Sequence, residues 1–338
     1  MKLIATKDAV GQVLCHDLTQ IIKGRTKDAR FRKGHVVTEA DLPVLLSMGK
    51  EHLYVWEKQD GMLHENEAAQ ILWQLVKNEH ICPSEVKEGK IEAFAEIGGL
   101  LKVDSARLQA VNRIEQVMIA SRHGNTPVRA GDKLAGARVI PLVIAESVMD
   151  QARAAAGPAP LLAILPWRVR RCGVITTGSE VFKGRIEDTF TPVVQAKLAD
   201  YGAEMCWHET FDDDSAAISG AIREMKAKGA ELVICTGGMS VDPDDKTPLA
   251  IRESGAEIVS YGAPVLPGAM FLLSYLEGVP VLGLPGCVMY ARRTIFDLVL
   301  PRLMAGERLS RQDLVRYGEG GLCLECAACI WPNCGFGK

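Results

Sequence analysis

The spacing of apolar residues changes along this chain. Up to about residue 160 the apolar runs are short and broken by glycines. They predict a small α/β unit over residues 1–65, then a helix with β-rich segments and a linker over residues 66–160. Over residues 161–310, buried-type strands alternate with helical patterns, and residues 311–338 form a cysteine-rich tail. The pattern therefore predicts three folded parts followed by a tail.

The first two parts are predicted to contain few helices. A brief helix closed by glycine is predicted at Asp41–Gly49, and the spacing of Ala69, Leu72 and Val76 indicates an amphipathic helix over Asn66–Asn78. The remaining predictions are a strand at Leu53–Trp56, β-rich structure over Lys90–Ile144 with a helical patch at Arg107–Ile114, and a linker at Gln151–Pro160.

The third part follows a regular alternation of strands and helices. The predicted strands are Arg171–Thr177, Glu204–Thr210, Leu232–Cys235 and a pair within Phe271–Leu284 that turns at Glu277–Gly278. The predicted helices begin at Thr191, Ser215 and Thr247, with Thr191 as a cap, and a long final helix covers Val288–Met304. Such alternation predicts an α/β fold class, with a doubly wound, mostly parallel sheet and helices on both faces.

Composition narrows the classes of protein that fit this pattern. The chain has 338 residues, 48% of them apolar, and a net charge of only −3, so it can bury an ordinary core and lacks the basic stripe of a nucleic-acid-binding protein. The long apolar stretch Val265–Leu276 is interrupted by Pro267 and Gly268, and no membrane helix is predicted. The N-terminus lacks a secretory pattern, so we expect a cytoplasmic protein.

Three glycine-bearing turns follow apolar runs in the third part: Thr177-Gly178-Ser179-Glu180, Thr236-Gly237-Gly238-Met239-Ser240 and Gly283-Leu284-Pro285-Gly286. Ligands of parallel sheets bind beyond the carboxyl ends of the strands, and backbone N–H groups at such turns suit phosphate. The turns therefore predict one concave, anion-accepting site. Each could also be an ordinary strand-to-helix turn, and none matches a dinucleotide fingerprint or a Walker loop.

Acidic residues accompany these turns. Asp242, Asp244 and Asp245 follow the second turn, and the run Asp212–Asp214 is predicted to reach the same edge of the sheet. Carboxylates near phosphate-binding amides suit Mg²⁺, which bridges carboxylate and phosphate oxygens. The alternative is a solvated loop in one case and a helix cap in the other.

These motifs together resemble the molybdenum-cofactor-biosynthesis domain, the molybdopterin-binding α/β fold of molybdopterin molybdotransferases, adenylyltransferases and gephyrin. The resemblance covers residues of about 170–308 and rests on T-T-G-S-E, D-D before a helix, T-G-G-x-S with D-x-T close behind, P-G, and G-x-P-V-x-G-L-P-G. The segment Phe31–Gly49 is similar to part of the transferase architecture, more weakly.

The resemblance implies a ligand and a set of site residues. It implies binding of molybdopterin or its adenylylated form, and Mg²⁺-dependent insertion of molybdate with release of the adenylate. Acids linked to this chemistry match Glu180, Asp212 or Asp213, and Asp245. Positions that match the ligand cradle are Thr177, Gly178, Ser179, Glu180, Gly237, Gly238, Ser240, Asp245, Thr247, Pro285 and Gly286. A homodimer is expected because family members commonly pair.

The chain departs from the transferase pattern in ways that leave two functions open. The segment Val265–Met270 lacks the lysines that flank proline-glycine in transferases, and Cys287 and Val288 replace the usual asparagine and proline. The threonine-glycine segment of the transferases' preceding domain is also missing. The retained acids favour a molybdotransferase-like enzyme. The missing cations favour a non-catalytic pterin carrier or sensor, which would serve a molybdenum enzyme or another cofactor-assembly protein.

Four cysteines crowd into the tail, at Cys323, Cys326, Cys329 and Cys334. Two-residue spacings suit an iron-sulfur cluster, whereas zinc usually takes two separated pairs of cysteines. The last spacing is one residue longer than in bacterial ferredoxins. A cluster, a zinc ion and a flexible or redox-active tail without metal are all compatible with this pattern.

The histidines add little at this level. None of the seven shows ligand-like spacing, so each is predicted to be an ordinary surface or loop residue. Ser179 and Ser240 have no histidine near them in sequence, which disfavours a hydrolase triad.

Overall fold

The computed structural model describes residues 2–22, 26–55, 60–240 and 245–338. The chain divides into two compact units. The first comprises residues 1–96, 103–122 and 131–163, and the second comprises residues 97–102, 123–130 and 164–338. Among the described residues, no helix has the length and apolar character needed to cross a membrane.

Strands and helices are named here in chain order. The strands are β1 (Lys2–Ala5), β2 (Leu18–Ile22), β3 (Thr26–Phe31), β4 (His52–Val55), β5 (Met62–His64), β6 (Ile81–Pro83), β7 (Lys90–Ala95), β8 (Gly99–Val103), β9 (Val117–Ser121), β10 (Thr126–Val128), β11 (Lys133–Val139), β12 (Val143–Ala145), β13 (Leu162–Pro166), β14 (Arg171–Thr177), β15 (Glu204–Phe211), β16 (Leu232–Thr236), β17 (Glu257–Tyr261), β18 (Leu272–Leu276) and β19 (Val279–Leu284). The helices are α1 (Leu42–Ser47), α2 (Glu65–Val76), α3 (Ser105–Asn112), α4 (Glu146–Ala156), α5 (Ser179–Phe182), α6 (Phe190–Ala199), α7 (Ser215–Ala227), α8 (Thr247–Glu253), α9 (Ile295–Met304) and α10 (Arg311–Val315).

The first unit is built around an antiparallel sheet of order β6-β7-β11-β9, with α2 packed against β7 and β11. The predicted amphipathic helix is present as α2 and begins with a capping box. The His64 ring accepts the Asn66 N–H at 3.1 Å, and the Glu67 carboxylate accepts the His64 N–H at 2.8 Å. The predicted strand at Leu53–Trp56 is β4, and Trp56 lies outside the described residues.

The second unit contains a six-stranded sheet of order β15-β14-β16-β19-β18-β17. Strands β15, β14, β16 and β19 run parallel to their neighbours. Strand β18 pairs antiparallel with β19, and β17 pairs antiparallel with β18. The sheet is therefore α/β and mostly parallel, which confirms the predicted fold class. Strand β17 was not predicted from the sequence.

Helices cover both faces of this sheet because its strands are apolar on both sides. In β14, Val174 packs with α6 and α9, whereas Ile175 packs with α7 and α8 on the opposite face. Helix α7 contributes Ile222 and Met225, both fully buried. Full burial of such a side chain stabilises by about 1.5–3 kcal/mol. A Cβ on Gly173 would lie 2.6 Å from Met225 Sδ, so this glycine lets α7 approach the sheet.

Two helix predictions were wrong in their starting points. The predicted final helix over Val288–Met304 is instead a 3-10 turn at Gly286–Met289 followed by α9. Thr294 begins α9 with a capping box, its hydroxyl accepting the Phe296 N–H at 3.2 Å. Helix α6 starts at Phe190, before the predicted cap Thr191.

Candidate functional site

The three glycine turns border one cavity of about 580 Å³ at the carboxyl ends of β14, β16 and β19. Predicted site residues that line it are Thr177, Gly178, Ser179, Glu180, Asp213, Gly237, Gly238, Ser240, Asp245 and Gly286. Asp242 and Asp244 lie outside the described residues. The structure thus brings most of the predicted residues together in a single concave site.

The first two turns touch backbone to backbone, and glycine is what permits this. Gly237 and Gly238 have φ of +83° and +53°. A Cβ on Gly237 would lie only 2.2 Å from the Thr177 carbonyl oxygen. The Thr177 hydroxyl also donates to the Thr236 carbonyl at 3.1 Å. This close approach places the backbone of both turns side by side at the cavity.

Thr247 and Pro285 are not among the residues that line the cavity. Thr247 is fully buried behind the turns, where its hydroxyl lies 3.0 Å from the Thr177 hydroxyl. Its N–H donates to the Gly238 carbonyl at 3.3 Å. Thr247 therefore fixes the two turns to each other and to the start of α8.

Asp213 is an acid of the cavity whose pKa is raised. Its carboxylate accepts the Ser179 N–H at 3.1 Å. Burial is the main cause that raises the pKa of Asp213 above its ordinary value, the charges of Asp212, Asp245 and Glu180 raise it further, and the Ser179 hydrogen bond opposes them. The negative charges of these three neighbouring acids therefore oppose loss of the proton from Asp213.

The other acids of the predicted run have different partners. Asp212 does not line the cavity and forms an ion pair with Lys183 at 3.2 Å. The Asp213 N–H, followed by Lys183, lowers the pKa of Asp212. Asp214 caps α7 by accepting the Ala216 N–H at 2.9 Å. Of the three acids in this run, Asp213 lines the cavity, Asp212 is paired with Lys183, and Asp214 caps a helix.

Sequence reasoning missed a polar network on the same side of the cavity. Asp188 and Thr176 line the cavity, and the Thr176 hydroxyl lies 3.2 Å from the Asp188 carboxylate and 3.0 Å from His208 Nε2. Thr191 donates to Asp188 at 2.5 Å. Burial raises the pKa of Asp188, but the Thr191 hydrogen bonds and those from Phe190 and Thr176 outweigh it and hold the pKa below its usual range.

Asp188 also corrects the predicted helix cap. Its carboxylate accepts the N–H groups of Phe190 at 2.9 Å and Thr191 at 3.0 Å, so Asp188, rather than Thr191, satisfies the first amides of α6. An acid two residues before a helix start was the signal available in the sequence. His208 shows no ligand-like spacing in the sequence, because the residues that its ring contacts, Thr176 and Thr191, are distant from it along the chain.

The lining of the cavity is acidic. Its carboxylates are Glu180, Glu187, Asp188, Asp213 and Asp245, and the described lining residues include no lysine or arginine. Among the described residues, no three His, Cys, Asp or Glu side chains are grouped to hold a metal ion by themselves. Mg²⁺ is typically held by one or two carboxylates together with substrate phosphates, and these oxygen donors fit that requirement.

The cysteine tail forms a second cavity within the same unit. This cavity of about 200 Å³ is lined by all four tail cysteines, with Arg292, Arg293 and Trp331 among its other residues. Burial opposes ionisation of Cys329, but the Trp331 amide and the Arg293 guanidinium outweigh it and lower the pKa of this thiol. Cys172 and Cys235 are buried elsewhere, and burial raises the pKa of each to about 12.

Comparisons with known proteins match most of the second unit's six-stranded sheet to a described family. Residues 173–305 match a family described as "Probable molybdopterin binding domain", and residues 3–57 match a "Domain of unknown function (DUF8806)". A CinA-like protein from Mycobacterium sp. (strain JLS) is 32% identical over 90 residues, which cover 26% of this chain and 21% of that protein. A molybdenum cofactor biosynthesis bifunctional protein from Synechococcus elongatus is 36% identical over 83 residues, 25% of this chain and 26% of that protein.

Solved structures give the same kind of match. The molybdopterin biosynthesis enzyme MoaB from Thermus thermophilus is 24% identical with a TM-score of 0.34, covering 41% of this chain and 98% of that one. The tungsten cofactor synthesizing protein MoaB from Pyrococcus furiosus is 22% identical with a TM-score of 0.31, covering 36% and 84%. The chain spans about a fifth to a quarter of the length of the curated relatives it matches. With its sheet, its turns and the family match in agreement, the segment of residues 173–305 is a domain of the molybdopterin-binding family.

Proposed function

We propose that this protein binds a phosphorylated pterin in the cavity at the carboxyl ends of β14, β16 and β19 and acts as a molybdotransferase-like enzyme. The pterin is molybdopterin in its adenylylated form, and molybdate is the second substrate. The observation that carries this proposal is the convergence of the three glycine turns and the Glu180, Asp213 and Asp245 carboxylates on one cavity of about 580 Å³.

The glycines that line the cavity support phosphate binding. Gly178, Gly237 and Gly238 line the cavity, so a ligand can approach their backbone without meeting side chains. Among the described residues, Ser179 and Ser240 add hydroxyl groups at the same rim. These groups would bind and orient the phosphate end of the pterin.

The acidic lining makes a divalent cation part of the proposal. Phosphate brought against Glu180, Asp213 and Asp245 would be repelled unless a cation offsets the charge. Mg²⁺, when bound, would supply that offset and polarise the phosphate oxygens. Glu180 and Asp245 are the residues assigned to hold it, and the negative charge of each adds to the effect of burial in raising the pKa of Asp213.

The test is release of AMP from adenylylated molybdopterin in the presence of molybdate and Mg²⁺. We expect release that requires both additions and that falls by at least about 100-fold in Glu180→Gln and in Asp245→Asn, as for the loss of a charge-stabilising group. Glu204→Gln is the matched control, because Glu204 is an exposed acid at the opposite end of the sheet. Unchanged turnover in both site variants would remove these acids from the reaction.

The second candidate is a non-catalytic carrier or sensor of the pterin. It is favoured by the absence of lysine and arginine from the described lining of the cavity, since the transferases place cations near the phosphate. Pterin binding measured by calorimetry with no AMP release above background would establish the carrier and rule out the transferase. The expected homodimer is tested in the same preparation by light scattering.

A further inference from the structure

The four tail cysteines have no part in the proposed pterin chemistry. They lie within the twelve residues from Cys323 to Cys334. The first three are separated by two residues each, which lets a short loop present successive thiols around a compact body. Their placement in the folded chain shows what that loop is built to do.

Both ends of the cysteine loop are fixed to the second unit. Before the loop, the Leu266 N–H donates to the Gly321 carbonyl at 2.9 Å, and the Cys323 N–H donates to the Leu266 carbonyl at 2.8 Å. After it, the Gly337 N–H donates to the Gly320 carbonyl at 2.9 Å, and Phe336 is buried in the main core. The segment is therefore a closed, anchored loop and not a free tail.

All four cysteines border the same cavity of about 200 Å³. Zinc needs its sulfur ligands about 2.3 Å from one point, whereas an iron-sulfur cluster offers its irons at separate corners and fills a larger space. Among the described residues no three cysteines are grouped to hold a single metal ion, so the arrangement of the four cysteines around a cavity fits the larger body. Cys326 and Cys329 are exposed, so iron and sulfide can reach the loop from solvent.

Positive charge lies beside the thiols. Arg292 and Arg293 line the cavity, and Arg292 Nη1 donates to the Ala327 carbonyl within the loop at 2.7 Å. The Arg293 guanidinium stacks over the Trp331 ring at 4.6 Å, and its buried Nε has no hydrogen-bond partner among the described residues. A buried N–H without a partner is costly, and an anionic ligand in the cavity would offset that cost.

We propose that Cys323, Cys326, Cys329 and Cys334 bind a [4Fe–4S] cluster. On assembly from two ferrous ions, two ferric ions and four sulfide ions, each thiol loses its proton to solvent and forms one sulfur–iron bond, which gives a [4Fe–4S]2+ core without any net change of oxidation state and one cysteine on each iron. The thiolate-ligated cluster is anionic, and Arg292 and Arg293 compensate its charge. Trp331 shields one side of the cluster from water.

The test is elemental analysis and spectroscopy of the full chain purified without oxygen, and of the same protein after anaerobic reconstitution with equal amounts of ferrous and ferric iron and with inorganic sulfide. We expect about four iron and four sulfide per chain, visible charge-transfer absorption that bleaches with dithionite, and the EPR signal of a reduced cubane cluster. Zinc at about one per chain, or no iron and sulfide after reconstitution, would overturn the proposal.

Matched serine variants locate the cluster. Cys326→Ser and Cys329→Ser remove exposed thiols, so folding should be preserved, and circular dichroism verifies this. Each should lose more than half of the bound iron, whereas Cys206→Ser, at an exposed cysteine outside the loop, should retain all of it. Equal iron content in all three variants would refute the assignment. Pterin binding is measured in parallel, so failure of the cluster proposal is distinguishable from failure of the proposed function.

Discussion

Replacing Gly237 with alanine gives the sharpest test of how the pterin cavity is built. The residue has φ of +83°, a region that costs a residue with a side chain about 1–2 kcal/mol. The new Cβ would also lie 2.2 Å from the Thr177 carbonyl oxygen, which is backbone and cannot rotate away. The turns after β14 and β16 must therefore separate.

The size of the effect follows from what that separation breaks. Moving the turns apart weakens the hydrogen bond from the Thr177 hydroxyl to the Thr236 carbonyl, now 3.1 Å long, and such a bond contributes about 0.5–1.5 kcal/mol. Added to the backbone cost, the loss in free energy of unfolding should be about 1.5–3.5 kcal/mol. Pterin affinity should fall as well, because the two turns that line the cavity have moved.

Two other glycines separate the contributions. Gly184 has φ of +64° with open space around it, so Gly184→Ala should cost only the backbone part, about 1–2 kcal/mol. Gly286 lines the cavity without a positive φ and has no neighbour within 4 Å of a built Cβ, so Gly286→Ala should change stability by less than about 0.5 kcal/mol.

Urea unfolding measures the free energy of unfolding of all three variants, provided that its dependence on urea concentration is the same in each. If Gly237→Ala is as stable as Gly286→Ala, the two turns are not in the close contact described here.

Three further predictions rest on ionisation. The raised pKa of Asp213 means that this carboxyl keeps its proton to higher pH in the native protein than in the unfolded chain, so its contribution to stability declines as pH rises through the native pKa. Asp213→Asn should therefore increase stability to urea at pH 7 in the absence of metal, and the gain should vanish below about pH 4. A gain that is independent of pH would contradict this reasoning. Burial opposes ionisation of Asp313, but hydrogen bonds from Ser310 and Arg302 outweigh it and lower the pKa of this carboxyl to about 2. The stabilising contribution of Asp313 is present above the unfolded pKa and is lost as pH falls towards 2, so Asp313→Asn should flatten the acid-unfolding curve between about pH 4 and 2. An unchanged slope would count against the ion pair with Arg302. Iodoacetamide at neutral pH should modify the exposed Cys206 at least about 100-fold faster than Cys172 or Cys235, because burial raises the pKa of each of those two thiols to about 12. Mass spectrometry of the native protein measures the three rates, and comparable rates would show that the buried sites open readily.

Much of the second unit was predictable because its strands are continuous apolar runs that end at glycine turns. Arg171–Thr177 is such a run, and the predicted bounds are those of β14. Strand β17 escaped prediction because its alternating, partly exposed residues lie at the edge of the sheet, where neither face is fully buried. The break before α9 was predictable in principle from the pair Thr294 and Asp297, which is a capping-box spacing.

The site was predictable in part for the same kind of reason. Carboxyl ends of parallel strands meet at one edge, so Glu180 and Asp245 could be placed together from the sequence. His208 reaches Thr176 only because β15 lies beside β14 in the sheet. The sequence does not specify which strand is the neighbour of β14, so this contact could not be predicted from it. The tail was compatible with flexibility in sequence, but burial of Phe336 anchors it.

The segment from Gly286 to Arg293 borders both cavities of the second unit. Gly286 and Met289 line the pterin cavity, and Arg292 and Arg293 line the cysteine cavity. An occupant that shifts this segment on one side changes the free energy of occupancy on the other, and thermodynamic reciprocity requires the same factor in both directions. For the two proposed occupants, the factor by which a bound cluster changes the affinity for the pterin would equal the factor by which the bound pterin changes the affinity for the cluster.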